Sequence, residues 1–479
     1  EAPAETAPPR PPGGPWTKFG AFWLAVDGRG TPEDDARYIV TPTVAARLQQ
    51  LARMVAARRH PVLLQGPTSA GKTSMVERLA KATGHRLIRI NNHEHTDVSE
   101  YIGTFTPDAD GRLVFVDGAL TQAVRHGYWI VLDELNLAPS EVLEALNRLL
   151  DDNRELHVPE TGEVVRPHEH FMLFATQNPP GSFGGRKVLS RAFRNRFLEA
   201  QLDELPTSEL QTILERRCKI APPFAAKMVG TMVELQRRRA SSRVFQGKHG
   251  FITPRDLFRW GDRQPADHDE LAAAGYALLA ERLRQGDETA VVLQVLRQLI
   301  PHGTLDPAAA YAAAVVPTAG PSTPVWIASM RRLYSLVSNC CQYDEPVLLV
   351  GETGTGKTTV CELYAQAVGQ TLHMINCHQH TETADFIGGL RPVRGRAMQL
   401  ARLLRRVEAF ERRAAAAAAA LADGSAVPPA ADADADGAAA NGDDGGGEGV
   451  SVAALEGRID ASLDSVATAA AAAGGRGEA

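Results

Sequence analysis

The sequence lacks most of the features that mark membrane, secreted and zinc-binding proteins. No apolar run approaches the roughly 20 residues that a bilayer span requires. The five cysteines are an odd number without zinc-type spacing, and together with the missing signal peptide they favour a reducing compartment. We therefore expect no membrane partner.

Basic character is also missing. The formal net charge is −6, and no basic stripe with interleaved aromatic residues is present. A direct, sequence-specific nucleic-acid partner is therefore not expected, and a DNA helicase is disfavoured. The chain does not begin with Met, and residues 1–35 are rich in Pro and Gly. We expect these residues to form a linker and the chain to be a piece of a longer protein.

A domain-sized repeat is present. GPTSAGKTS at 66–74 and GETGTGKTT at 351–359 lie 285 residues apart, and the same offset relates INNHEHTDVSEYIG (90–103) to INCHQHTETADFIG (375–388). This spacing is far longer than that of solenoid repeats. The chain is therefore predicted to hold one whole module and the opening of the next.

The patterns between these loops predict the organisation of the chain. Residues 36–206 alternate short apolar runs with helical patterns, as in a parallel α/β sheet. Residues 207–300 have apolar residues at helical spacing. A Pro/Ala/Gly linker is expected at 301–324, a partial second α/β core at 325–396 and a mostly disordered, low-complexity tail at 397–479.

Both loops fit the phosphate-binding pattern G-x-x-x-x-G-K-[ST] between an apolar strand and an amphipathic helix. Backbone N–H groups of such a loop surround phosphate oxygens. Lys72 is expected to reach the β- and γ-phosphates, and Thr73 and its counterpart Thr358 to hold Mg²⁺. A chance Gly-rich turn is the alternative, which two copies in register make negligible. The predicted nucleotide-binding residues are Gly66, Pro67, Thr68, Ser69, Ala70, Gly71, Lys72, Thr73, Ser74, Gly351, Glu352, Thr353, Gly354, Thr355, Gly356, Lys357, Thr358 and Thr359.

Acidic and amide residues follow two later apolar runs. YWIVLDELN ends in Asp133 and Glu134, and FMLFATQNPP ends near Asn178. Asp133 is expected to hold Mg²⁺ through water, and Glu134 to orient or deprotonate the attacking water. Asn178 is expected to bind the γ-phosphate or that water. The alternatives are an Asp-Glu helix cap and a turn residue before Pro179.

Arginines beyond these runs are candidates for completing the site. Arg191, Arg194 and Arg196 in LSRAFRNRFLE form either a solvated face or the source of an arginine finger. Arg255, at the start of a predicted lid helix, is placed to sense the γ-phosphate.

Two further residue types have no clear role. The H-x-H pairs His93/His95 and His378/His380 could face one side of a strand, but no third metal ligand is evident, so polar packing is the expected role. The vicinal Cys340 and Cys341 are expected to be small buried residues.

Taken together, GPTSAGKT, VLDELN, ATQNPP, SRAFRNRF and TPRDLFRW resemble the AAA+ ATPase superfamily, within its helix-2-insert group. The phrases around them are closest to a dynein-like family of ring ATPases of ribosome assembly. The resemblance implies an AAA+ core with a parallel sheet between helices and a helical lid, followed by a partial second core. It also implies ATP and Mg²⁺, with Lys72, Thr73, Asp133, Glu134 and Asn178 carrying the site.

The resemblance extends to partners and location. It implies a pseudo-hexameric ring of AAA+ modules within one chain, which removes assembly factors from pre-ribosomal large-subunit particles in the nucleolus and nucleoplasm. Arg196, with Arg194 next, would act in trans on the preceding module's nucleotide. Residues 111–118 resemble a hairpin insert used for remodelling.

The second copy departs from the family pattern. No apolar strand ending in Asp-Glu follows Lys357, so we expect this site to bind phosphates weakly and not to hydrolyse ATP. Two alternatives to an ATP-hydrolysing module remain. One is a structural module stapled by nucleotide without turnover, and the other is a MoxR- or chelatase-like remodeller built from separate subunits.

Overall fold

A computed structural model describes residues 9–379 apart from 34, 59, 109–111, 180–187, 242–251 and 318–324, together with 381, 385, 386, 388 and 407. The chain divides into two compact units, Glu1–Ile375 and Asn376–Ala479, and the helices and strands below belong to the first. The predicted disordered tail, 397–479, lies outside the described residues except for Val407.

The strands of the described part are, in chain order, β1 (Trp16–Phe19), β2 (Phe22–Ala25), β3 (Val62–Gln65), β4 (Leu87–Asn91), β5 (Gly103–Pro107), β6 (Leu113–Asp117), β7 (Trp129–Asp133), β8 (Leu156–Val158), β9 (Glu163–Val165), β10 (Met172–Gln177) and β11 (Leu198–Gln201). The helices are α1 (Pro42–Ala57), α2 (Lys72–Thr83), α3 (Val98–Ile102), α4 (Ala119–His126), α5 (Ser140–Leu150), α6 (Arg191–Arg194), α7 (Thr207–Cys218), α8 (Pro222–Ser241), α9 (Pro254–Asp262), α10 (His268–Leu279), α11 (Gly286–Leu299), α12 (Pro307–Ala312), α13 (Ala328–Gln342) and α14 (Lys357–Val368). Each of these helices is too short or too polar to span a lipid bilayer.

A five-stranded sheet, in the order β11-β3-β10-β7-β4, forms the centre of the first module, and all of its pairings are parallel. Every residue of β7 is buried, as expected for a parallel strand covered on both faces. One face packs against α1 and α2, and the other against α3, α4 and α5. The predicted α/β core is confirmed. Because its strands are parallel, their carboxyl ends lie along the same side of the sheet.

The helical lid has a core of its own. Helices α7 to α11 enclose Trp260, whose Nε1 donates to the Leu271 carbonyl at 3.0 Å. Gly275 lets α10 approach this indole closely, because a Cβ there would lie 2.3 Å from Trp260. Glu209, in the first turn of α7, accepts hydrogen bonds from the Thr43 backbone N–H at 3.1 Å and the Thr43 hydroxyl at 2.6 Å. The lid is therefore tied to the amino end of α1.

Three strand pairs lie outside the main sheet. Strands β1 and β2 pair antiparallel and place Leu24 in the core beside α1, so the expected linker at 1–35 is wrong for residues 16–25. Strands β5 and β6 form the predicted hairpin insert, but it begins at Gly103, before the expected segment. Strands β8 and β9 form a third, short hairpin.

The second module departs from expectation. Its described part contains α13 and α14 but no strand, and Leu348 and Val350 are exposed. Within the described residues, the segment equivalent to β3 has no strand partner. The predicted linker at 301–324 also contains α12, and Cys341 is exposed rather than buried.

Candidate nucleotide site

The site lies where three neighbouring strands end. The phosphate-binding loop follows β3, Asp133 closes β7, and Asn178 comes directly after β10. Strand β10 lies between the other two in the sheet. Carboxyl ends of parallel strands are where open α/β sheets bind ligands, and the sheet order places Asn178 between the loop and the acids.

The loop 66–74 has the shape needed to surround an anion. Ser69 and Gly71 lie in the left-handed region, at φ 66° and 86°, a conformation that turns successive N–H groups inward. Gly66 must lack a side chain, because a Cβ would lie 2.3 Å from the Leu202 carbonyl oxygen. Lys72 begins α2, so the loop ends at a helix N-terminus that favours negative charge.

Lys72 is buried and extends back over the loop. Its Nζ donates to the carbonyl oxygens of Gly66 and Pro67, both at 2.8 Å, and to Asn178 Oδ1 at 2.7 Å. The ammonium group therefore lies between the loop and the tip of β10. A role for Lys72 in binding the β- and γ-phosphates stays a prediction.

Asp133 uses its two carboxylate oxygens differently. Oδ1 accepts hydrogen bonds from the hydroxyls of Thr73 and Thr176, both at 2.8 Å. Oδ2 is buried and accepts no hydrogen bond, although Arg89 Nε lies 2.5 Å away as an ion pair. The N–H of Arg89 is therefore not aimed at the oxygen, and Oδ2 keeps its capacity to accept a hydrogen bond.

Glu134 is held in a conformation that non-glycine residues rarely adopt, with φ 51°. Its backbone N–H donates to Thr176 Oγ1 at 3.1 Å, and its Oε1 accepts from Asn178 Nδ2 at 3.1 Å. Asn178 therefore bridges Lys72 and Glu134 with the two ends of one amide. Strain at such a position is typical of functional sites, where surrounding contacts enforce it.

The residues present fit a nucleotide with Mg²⁺. Asp133 Oδ2 and Ser69 Oγ are buried and have no hydrogen-bond partner, which is costly unless a ligand supplies one. Thr73 lies beside Asp133, and hydroxyl and carboxylate oxygens are the ligands that Mg²⁺ prefers. Thr73 would ligate the ion, and Asp133 Oδ2 would accept from its water.

The predicted arginines are placed at different points of the module. Arg196 contacts α5 and the residue after it, with Nη1 2.7 Å from Asn147 Oδ1 and Nε 2.6 Å from Asp151 Oδ1. Arg194 lies 4.0 Å from Glu199. Arg255 is exposed in the first turn of α9. A role in trans stays a prediction for Arg196 and Arg194.

The second loop repeats the backbone geometry of the first. Lys357 Nζ donates to Gly351 and Glu352 carbonyls, at 2.9 and 2.5 Å, as Lys72 does at the equivalent positions. Gly354 and Gly356 lie at φ 82° and 81°. Lys357 is half-buried, whereas Lys72 is buried.

The histidine pairs form no metal site within the described residues, where no group of three or more His, Cys, Asp or Glu side chains could hold an ion. His93 Nδ1 accepts from the His95 backbone N–H at 3.1 Å in an exposed turn. His378 donates its backbone N–H to Thr381 Oγ1 at 2.7 Å, and His380 lies outside the described residues.

Comparison with known proteins places this arrangement in a family. Residues 61–197 and 346–424 match the model of the AAA domain (dynein-related subfamily), and residues 209–300 match the midasin AAA lid domain. The chain is 55% identical to midasin of Dictyostelium discoideum over 414 residues, 82% of this chain and 7% of that protein. The chain belongs to the midasin family. The resemblance read from the sequence motifs is thereby confirmed.

Two other relatives of this midasin-family chain differ in sequence identity and in the share of the chain that they match. Midasin of Giardia intestinalis is 43% identical over 395 residues, 76% of this chain and 8% of that protein. The denitrification regulatory protein NirQ of Stutzerimonas stutzeri is 32% identical over 181 residues, 38% of this chain and 65% of that protein. The chain thus spans only a small part of the midasins that it matches.

Sequence reasoning missed several residues of this midasin-family site. Thr176 links Asp133 to Glu134, and Arg89 lies beside Asp133. Buried Asn92 donates its side-chain amide to the Asp133 carbonyl at 2.9 Å and accepts from the Tyr101 hydroxyl at 2.6 Å. The repeat did carry a signal for Asn92 and Tyr101. Both are replaced in the second copy, where the equivalent residues are Cys377 and Phe386.

Proposed function

We propose that this chain supplies an ATP-hydrolysing module to a ring-shaped mechanoenzyme that removes assembly factors from pre-ribosomal large subunits. The observation that carries the enzymatic part is the bridge made by Asn178 between Lys72 and Glu134. It brings a phosphate-binding cation, an amide and a carboxylate from three strand tips to one point. Such an arrangement suits phosphoryl transfer to water, which depends on positioning and electrostatic stabilisation.

Each residue has a role in this proposal. Lys72 and the N–H groups of loop 66–74 bind the β- and γ-phosphates of ATP. When bound by Thr73 and Asp133, Mg²⁺ neutralises charge on the phosphate oxygens. Glu134 orients the attacking water and accepts its proton. Asn178 fixes the Glu134 carboxylate, and Arg196 of this module would act on the nucleotide of the preceding one.

The wider role rests on family membership. Two AAA modules in one chain support a ring assembled from modules of the same polypeptide. Pre-ribosomal particles as partners and a location in the nucleolus and nucleoplasm are proposed from the similarity to midasins. A MoxR- or chelatase-like remodeller built from separate subunits is the weaker alternative, because two copies of the domain lie on this chain.

A structural module that binds ATP without turnover is the second alternative. An intact Glu134, held by Asn178, argues against it. The test measures ATP binding and single-turnover hydrolysis by the 479-residue chain. If the chain alone does not turn over ATP, the measurement is repeated with the neighbouring modules present. Binding without hydrolysis by the unmodified protein would favour the structural module.

The variants for this test are Glu134→Gln and Asn178→Ala. Each is expected to lower the hydrolysis rate about 100-fold, and each should leave the Kd for ATP within about threefold, since Lys72 keeps its loop. Matched controls are Glu141→Gln, an exposed acid on α5, and Gln177→Ala, whose amide donates to Gln65. Full turnover in Glu134→Gln would exclude this site as the hydrolytic one.

A further inference from the structure

Arg89 is a charged residue on the outermost strand of the sheet, beside the acid of the site. Strand β4 pairs with β7 so that Asn91 lies opposite Asp133 and Arg89 opposite Val131. Arg89 Nε lies 2.5 Å from Asp133 Oδ2, and the two side chains are 50% and 5% exposed. One end of this ion pair is therefore in solvent and the other is buried.

The contact differs from a structural ion pair of the same chain. Arg263 and Glu345 form a two-pronged pair, with Nε 3.1 Å from Oε1 and Nη2 2.5 Å from Oε2, the geometry typical of strong arginine–carboxylate pairs. Arg89 approaches Asp133 Oδ2 with Nε but forms no hydrogen bond with that oxygen. Arg89 neutralises the carboxylate without satisfying its oxygen.

The same oxygen is the one left for a magnesium-bound water. Oδ1 of Asp133 is taken by Thr73 and Thr176, so Oδ2 is the free acceptor. Mg²⁺ keeps several of its waters when it binds to proteins, and its charge repels a guanidinium at the same carboxylate. Arg89 and the hydrated ion therefore exclude one another at Oδ2.

We propose that Arg89 is a positioning residue that competes with hydrated Mg²⁺ for Asp133 Oδ2 and so sets the Mg²⁺ concentration at which nucleotide binds tightly. This rests on the proposed ATP site. Molecules in which Arg89 contacts Asp133 do not bind the ion. The apparent affinity for Mg²⁺ is therefore the intrinsic affinity multiplied by the fraction of molecules in which Arg89 has withdrawn. Its half-exposed side chain has room to withdraw into solvent.

The repeat supplies the variant for a test. Arg89 corresponds to Met374 in the second copy, between the identical residues Ile90/Ile375 and Asn91/Asn376. The second copy therefore has a neutral, unbranched side chain at the equivalent sequence position. Arg89→Met removes the charge while keeping most of the side-chain length.

The experiment titrates Mg²⁺ against binding of a fluorescent, non-hydrolysable ATP analogue to the 479-residue chain. Arg89→Met is expected to lower the Mg²⁺ concentration at half effect about threefold to tenfold. Affinity for the analogue in EDTA should stay within about twofold, because Arg89 contacts the acid rather than phosphate. The Mg²⁺ concentration at half effect for Arg89→Lys should lie between those of the unmodified protein and Arg89→Met. Thermal unfolding checks that each variant is folded.

Arg166→Met is the matched control, since it removes the same charge from an exposed arginine paired with Glu155, and it should leave the titration unchanged. An unchanged or higher Mg²⁺ requirement in folded Arg89→Met would overturn the inference while leaving the proposed function intact. Loss of analogue affinity in EDTA would show that Arg89 binds phosphate instead. If the unmodified chain binds no analogue with Mg²⁺, both the inference and the proposed function fail.

Discussion

His85 lies at the opposite edge of the sheet from the site, beneath the first residue of β7. Its ring stacks on Trp129 at a centroid distance of 4.6 Å, and its Nδ1 is 2.8 Å from the Thr83 hydroxyl. Burial lowers the pKa of His85 to about 4, against a weaker opposite effect of Asp27 and with a small further contribution from His170. The folded chain therefore keeps this imidazole neutral in mild acid.

This shift predicts a pH-dependent stability. Below its ordinary pKa of 6.5 the unfolded chain takes up a proton at His85 that the folded chain does not. The stability that depends on a neutral His85 is fully present above pH 6.5, and it is lost as the pH falls towards 4. We expect this group alone to lower the free energy of unfolding by about 2 kcal/mol between pH 6.5 and 4.5.

The measurement is urea unfolding at both pH values for the unmodified protein and His85→Gln, because Gln370 is the equivalent residue in the second copy. The variant should lose about 2 kcal/mol less stability than the unmodified protein on acidification. His126→Gln, on the exposed end of α4, is the control and should behave like the unmodified protein. Equal pH dependence in all three would contradict the prediction.

Residues inside recognised sequence motifs could be predicted, whereas their supporting neighbours could not. Lys72, Asp133 and Asn178 occupy fixed positions after apolar strands, and the structure brings them together. Thr176 and Arg89 lie within strands whose apolar pattern gives no hint of a polar role. Their contact with Asp133 depends on strand order and register, which periodicity alone does not determine.

At the scale of elements, a buried polar contact joins β4 to α3, which leads into the β5–β6 hairpin. Tyr101 is fully buried and donates its hydroxyl to Asn92 Oδ1, while Asn92 donates to the carbonyl of Asp133. Gly103 follows α3 directly and opens the hairpin. The hairpin is thereby connected to the strand tip that carries the acid by two hydrogen bonds.

The second copy predicts how this contact responds to mutation. Tyr101→Phe leaves a buried acceptor on Asn92 unpaired and should cost about 1–3 kcal/mol of unfolding free energy. Asn92→Cys should cost at least as much, because it also removes the bond to Asp133. The double variant reproduces the Phe386 and Cys377 pair, so its cost should fall about 1 kcal/mol or more below the sum of the single costs.

A double-mutant cycle in urea checks this coupling. Tyr276→Phe, on lid helix α10, combined with Asn92→Cys is the matched control, and its two effects should add. Additive effects for Tyr101→Phe and Asn92→Cys would show that the hydrogen bond makes no specific contribution. A loss of stability in the double variant greater than the sum of the single losses would show that Phe and Cys do not compensate each other at these positions of the first copy.

Among the elements, those with strong patterns were predictable and those that depend on tertiary partners were not. The apolar runs of β3, β7 and β10 and the helix after the loop gave the core and its order along the chain. Strands β1 and β2 were missed because they are short and lie in a Pro/Gly-rich stretch. The apolar run at 346–350 failed to form the expected strand because a parallel strand needs neighbours.

For the molecule as a whole, the first lid is joined to the second module by ion pairs. Arg263 directly follows α9 and pairs with Glu345. Glu345 lies six residues before Gly351, the first residue of the second phosphate-binding loop. Arg332 of α13 pairs with Glu281, which also accepts from the Tyr311 hydroxyl at 2.9 Å. These two ion pairs therefore connect the lid to the segment that leads into the second loop.

The buried member of this junction gives the last prediction. The Arg263 and Glu345 side chains are 4% and 15% exposed, and removing one partner of a buried pair leaves the other charge without compensation. Glu345→Ala is therefore expected to lower the free energy of unfolding by about 3 kcal/mol. Urea unfolding followed by tryptophan fluorescence measures this, because Trp260 reports on the lid and Trp326 lies just before α13.

The control for this prediction is Glu362→Ala, which removes an acid from α14 within the same module and should change the stability by less than about 0.5 kcal/mol. Combining Glu345→Ala with Arg263→Met should recover part of the loss, since the unpaired buried guanidinium is then removed as well. If Glu345→Ala costs no more than the control, the ion pair does not hold the lid and the second module together. The expected recovery in the double variant would identify the uncompensated charge of Arg263 as the cause of the loss.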